Sequence, residues 1–89
     1  MSTTYDSREL AIETGLFYMG YGNTGLRKRV MRELPEPIEM QLGWPQDRTI
    51  DTYKVRNPAG KDVLIGVSKF RSGFDLWLID PESGQGLRT

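Results

Sequence analysis

The stretch Thr49–Asp80, TIDTYKVRNPAGKDVLIGVSKFRSGFDLWLID, constrains the fold more than any other. It predicts three antiparallel strands joined by two tight turns. Asn57-Pro58-Ala59-Gly60 supplies a proline that presets φ at the first central position of a type I turn, and a glycine for the left-handed position that follows. That combination makes a hairpin with a glycine bulge. Closing it at Asn57 and Lys61 sets Val55 opposite Val63 and Tyr53 opposite Ile65. At the second turn, Arg71-Ser72-Gly73, a two-residue connection would push Ser72 into a left-handed conformation that L-residues resist. The bulged alternative pairs Phe70 with Phe74, Val67 with Trp77 and Ile65 with Ile79. In that register one face carries Tyr53, Val55, Val63, Ile65, Val67, Trp77 and Ile79, and the other Leu64, Gly66, Phe70, Phe74, Leu76 and Leu78. The last strand is then apolar on both sides, as strands buried on both faces are.

The chain is 89 residues long, enough for one domain with a single modest core that buries roughly 60–65% of the unfolded chain's surface. It has no cysteine and no histidine, so it offers no disulfide, no thiolate and no imidazole base or ligand. Its 12 basic and 12 acidic residues balance, and no overall charge draws it to nucleic acid or membrane. An apolar run of about 18 residues and a signal-peptide pattern are both lacking, so the expectation is a soluble, cytoplasmic domain.

Read in order, Met1–Tyr5 and residues 84–89 are expected to be loosely held. Asp6-Ser7-Arg8-Glu9 resembles a capping box, Asp6 accepting from first-turn amides and Glu9 reaching back. A helix over about residues 7–14 would end at Gly15 as its C′ residue, followed by a short strand Leu16–Met19. A continuous strand is the rival, since Leu10, Ile12, Leu16 and Tyr18 also fit a period of two. Leu26–Leu34 reads as the main amphipathic helix, capped by Thr24 or Asn23 and stopped by Pro35. Leu26, Val30, Leu34 and Met31 share one side. Arg27 falls among them, so its guanidinium must snorkel or find a partner. Ile38, Met40 and Leu42 alternate with Glu39 and Gln41 as in an edge strand, and Gly43–Asp47 is a loop. The predicted class is α+β: the three-stranded meander within a four- or five-stranded, largely antiparallel sheet, with the main helix packed on it.

Three features could carry function. Gly20-Tyr21-Gly22-Asn23-Thr24-Gly25 spells G-x-G-x-x-G between a possible strand and a helix, the order of a dinucleotide fingerprint. The helix is short, the chain is too small for a doubly wound sheet, and the acid about 20 residues on is at best Glu39. A looser version is a phosphate or nucleic-acid site made of Tyr21, Gly22, Gly25, Arg27, Lys28, Arg29 and Arg32, with Tyr18 and Tyr21 as stacking rings. The plain alternative is a turn, a cap and a solvated basic face balanced by Glu33, Glu36 and Glu39. Second, the pairs Asp47/Asp51 and Asp80/Glu82 could serve acid–base or metal chemistry. With no histidine and no nucleophile–base arrangement they read as turn caps, so neither enzyme activity, cofactor nor metal is expected. Third, Trp44, Leu64, Phe70, Phe74, Leu76 and Leu78 are an apolar surplus fit for a partner interface, unless a helix covers them as core.

With turns such as NPAGK and DPESG, and a compact, cysteine-free, charge-balanced chain, the sequence resembles the small single-domain accessory proteins of actinobacterial bacteriophages. That resemblance implies a protein that binds and modulates a host protein and has no active site of its own. The expected function is thus a protein-interaction module that meets a host protein or a second copy as a homodimer. The alternative is a binder of nucleic acid or a phosphorylated small molecule.

Overall fold

The computed structural model describes residues 4–43 and 47–83, and of Phe70 the backbone only. Helices α1 (Arg8–Tyr18) and α2 (Thr24–Arg32) precede strands β1 (Ile38–Leu42), β2 (Arg48–Arg56), β3 (Asp62–Phe70) and β4 (Gly73–Ile79). The strands form one antiparallel sheet in the order β1-β2-β3-β4. Helix α1 lies across β3 and β4, and α2 leans on α1 without touching a strand. The class is α+β, with four strands among the described residues. The helix laid on the sheet is the first, not the basic second one.

The β2–β3 hairpin has the expected register, Val55 opposite Val63 and Tyr53 opposite Ile65. Asn57 N–H donates to Lys61 O (2.8 Å), its side chain accepts from Lys61 N (2.9 Å), and Gly60 sits at φ 88°. The β3–β4 hairpin differs. It closes at Phe70↔Gly73, pairing Val67 with Leu76, Ile65 with Leu78 and Gly66 with Trp77. The two-residue turn is accommodated by Arg71 at φ 56°, while Ser72 stays at negative φ. This one-residue slip exchanges the two faces of β4. It puts Leu76 and Leu78 under α1 and sends the Asp75 carboxylate to the far face. The bulged register would have set Asp75 and Trp77 beneath the helix, so core packing outweighs the local cost of the turn.

The core joins Ala11, Ile12 and Leu16 of α1 to Tyr53, Val55, Val63, Ile65, Val67 and Leu78. Ser7 rather than Asp6 caps α1, accepting from Leu10 N (3.1 Å). The helix then runs through Gly15 to Tyr18, with no strand at Leu16–Met19. Gly15 is a place of close approach: a Cβ there would lie 3.1 Å from Leu76 Cδ1 and 3.4 Å from Ile65 Cγ2. Its missing side chain lets the helix settle on the sheet. Tyr5 is held more firmly than expected, exchanging two backbone hydrogen bonds with Phe74 (2.9 and 2.8 Å).

Among the described residues the far face of the sheet carries no helix, yet Ile50, Thr52, Gly66 and Ile79 are buried there. Ile50 folds over Gly66, where a Cβ would fall 2.6 Å from Ile50 Cδ1.

Candidate functional site

Helix α1 is apolar on two sides. Ala11, Ile12, Gly15 and Leu16 face the sheet. At about 100° per residue, Leu10, Thr14 and Phe17 fall on the opposite side. Leu10 is 43% exposed, Phe17 55% and the flanking Tyr18 50%. These residues, with Glu13 and Arg27, line one shallow groove of about 260 Å³. Three of its polar side chains are bonded within the chain: Thr14 Oγ1 donates to Leu10 O (2.8 Å), and Arg27 Nε pairs with Glu13 Oε2 (3.4 Å). Leu10 and Phe17 supply its exposed aliphatic and phenyl surface.

The knot holding that groove open is Arg27. Its side chain is 12% exposed and donates to Tyr21 O (2.8 Å) and Thr24 Oγ1 (3.1 Å) while stacking over Phe17 (5.5 Å to the ring centroid). The guanidinium's five donors suit such a multiple clamp. Asn23 caps α2 by accepting from Leu26 N (2.9 Å). The glycine loop is anchored twice on the first hairpin: the Tyr21 hydroxyl donates to Arg56 O, and Gly20, at φ 124°, lies against Pro58.

These placements divide the expected phosphate site. Arg27 and Tyr21 are consumed by internal bonds, and Gly22 is exposed. Gly25, Arg29 and Arg32 line a shallow concavity with Asn23 and Leu26, and Lys28 is exposed beside it. Lys28, Arg29 and Arg32 make no ion pair among the described residues.

The expected partner patch does not form one surface either. Phe74, Leu76 and Leu78 lie on the face that α1 covers; Leu78 is 4% exposed, and the other two are half-buried. Leu64 stands on the far face, and of Phe70 the structure describes the backbone alone. Trp44 lies outside the described residues. The cause is the register of β4, since the patch depends on a pairing the chain does not adopt.

The far face holds a polar cluster that sequence reasoning missed. Arg48 donates to Asp75 Oδ2 (2.7 Å), to Ser68 Oγ and to Lys69 O (3.2 Å), and its guanidinium lies 5.3 Å from the Trp77 ring. Asp75 Oδ1 is buried without a hydrogen-bond partner. The signal was the polar pair Ser68 and Asp75, which become neighbours only in the two-residue-turn register. On the helix side, Arg8 Nη1 donates to Asp51 Oδ2 (3.1 Å) and approaches the Tyr53 hydroxyl (3.4 Å). Burial alone would lower the Arg8 pKa, but these two partners raise it above the ordinary value.

Among the described residues no cluster of three or more carboxylates could hold a metal, and no helix is long and apolar enough to cross a membrane. No family model, curated protein or solved structure matches the chain.

Proposed function

We propose that the chain is a protein-interaction module that receives an apolar segment of another polypeptide on the outer face of α1. The observation carrying this reading is the double-sided helix. Its inner side is spent on the core, and its outer side leaves Leu10 and Phe17 in water beside charges that already satisfy one another. Apolar side chains left together on an exposed face mark sites of protein interaction. Aromatic anchors in a groove are also the usual seat of binding energy between proteins.

Phe17→Asp tests it. The variant loses the Arg27 stack and sets a carboxylate near the C-terminal end of α1, so stability should fall by about 1 kcal/mol and the urea midpoint is measured alongside. Proteins from a cell extract held by the immobilised wild type and released by the folded variant would support the reading. Identical retention by the two would reject it.

A second reading rests on α2, whose Lys28, Arg29 and Arg32 lack ion pairs among the described residues and flank the Gly25 concavity. It makes α2 a contact for a nucleic-acid backbone or another phosphate. Such binding would weaken steeply with added salt, which the α1 reading does not require.

A further inference from the structure

Among the described residues strand β1 is an open edge. Among the helices and strands it touches β2 alone. The direction of its free groups follows from the sheet. Asn57 donates to Lys61 O, so the hydrogen-bonded pairs of β2 with β3 are those at Val55, Tyr53 and Asp51. Hydrogen-bonding direction alternates along a strand, so Thr52, Ile50 and Arg48 turn toward β1, where they meet Ile38, Met40 and Leu42. The N–H and C=O groups of Glu39 and Gln41 therefore point outward. Residues 38–42 carry no lysine and no proline, devices that commonly blunt such an edge. Ile38, at the start of the strand, is 69% exposed.

We propose that β1 pairs antiparallel with β1 of a second copy, centred on Met40 and joining the two sheets into one. That register sets Glu39 opposite Gln41 of the other copy twice, and the outward groups of both residues find partners in four backbone hydrogen bonds. Each carboxylate then faces an amide that can donate to it. A register centred on Glu39 would instead oppose two carboxylates. On the helix-free face, Ile38 is set opposite Leu42 of the second copy and Met40 opposite Met40, which covers the most exposed large apolar side chain of the strand. The two-fold axis stands perpendicular to the sheet, and two-fold symmetry is the arrangement most common in self-association. Both α1 grooves consequently emerge on the same side. The pairing is independent of the α1 reading, since α1 and β1 do not touch.

Sedimentation equilibrium on wild type, Gln41→Glu and Gln41→Lys tests it, with far-UV circular dichroism confirming that each is folded. Wild type should rise with concentration from 10.2 kDa toward twice that mass. Gln41→Glu opposes carboxylates at two symmetric positions and should weaken the dimer about fivefold or more. Gln41→Lys opposes Glu39 with a cation and should tighten it by a similar factor. A wild-type mass that stays at 10.2 kDa, or a dimer equally tight in both variants, overturns the proposal.

Discussion

The two hairpins that share β3 solve the same problem in opposite ways. In the β2–β3 hairpin the turn residues and the core agree: Pro58 and Gly60 make a bulged turn whose register already places Val55, Val63, Tyr53 and Ile65 on one side. In the β3–β4 hairpin they disagree. The turn contains no glycine at its centre, and Arg71 is driven to φ 56° so that Leu76 and Leu78 can reach the core. A left-handed L-residue costs about 1–2 kcal/mol, whereas each buried leucine side chain contributes roughly 1.5–3 kcal/mol. Turn chemistry therefore holds where it agrees with the core. It yields where a slip would exchange leucines for a carboxylate beneath a helix.

The sharpest way to break that comparison is Leu78→Ala. Leu78 is 4% exposed beneath α1, so truncation should cost about 3 kcal/mol from lost transfer energy and the cavity left behind. Had β4 followed the bulged register, Leu78 would stand opposite Gly66 on the far face, a position where Trp77 is only half-buried, and the same change would cost less. Urea unfolding of the two proteins decides between them, a midpoint shift under one-third of that size arguing against the observed pairing.

The same contrast explains how much could be read in advance. The antiparallel sheet, the first turn, the edge character of Ile38–Leu42 and the Asn23 cap are local patterns, each written in a few adjacent residues. Gly15 was misleading because a glycine that ends a helix and one that lets a helix touch a sheet look alike in one dimension. Only the nearby Leu76, Ile65 and Leu78 side chains distinguish them. The Arg48–Asp75–Ser68 cluster joins residues 20 and 27 positions apart, and one wrong register hides it. For the expected partner patch, the residue types could be read from the sequence but their positions could not. The surplus of apolar side chains was legible, yet those on β4 lie largely under α1, and the exposed ones stand on α1 (Leu10, Phe17, Tyr18), α2 (Leu26) and β1 (Ile38).

In the first hairpin, where turn and core agree, the turn itself should matter more. Gly60 has φ 88°, and a Cβ added there would have no neighbour within 4 Å, so a substitution meets backbone strain but no clash. Gly60→Val should lower stability by about 2 kcal/mol, because a β-branched residue is poorly tolerated at positive φ. A thermal melt unchanged within error would mean that the bulge can reopen at no cost, and the two turns would then be equally subordinate to the core.

The smallest effect is expected at the second turn, and its sign is the informative part. If Arg71 is strained on behalf of the core, a residue at ease in the left-handed region should relieve the strain without altering the register. Asparagine is such a residue, since its short amide can bond to nearby backbone. Arg71→Asn should therefore raise stability by about 0.5–1 kcal/mol, provided that it leaves the pairing of Phe70 with Gly73 intact. Any contact that the arginine side chain makes subtracts from the gain, so Arg71→Lys, which retains a cation at the same φ, serves as the reference. Asparagine more stable than lysine locates the effect in the backbone. Asparagine less stable than lysine would show that the side chain, rather than the buried leucines, holds this turn closed.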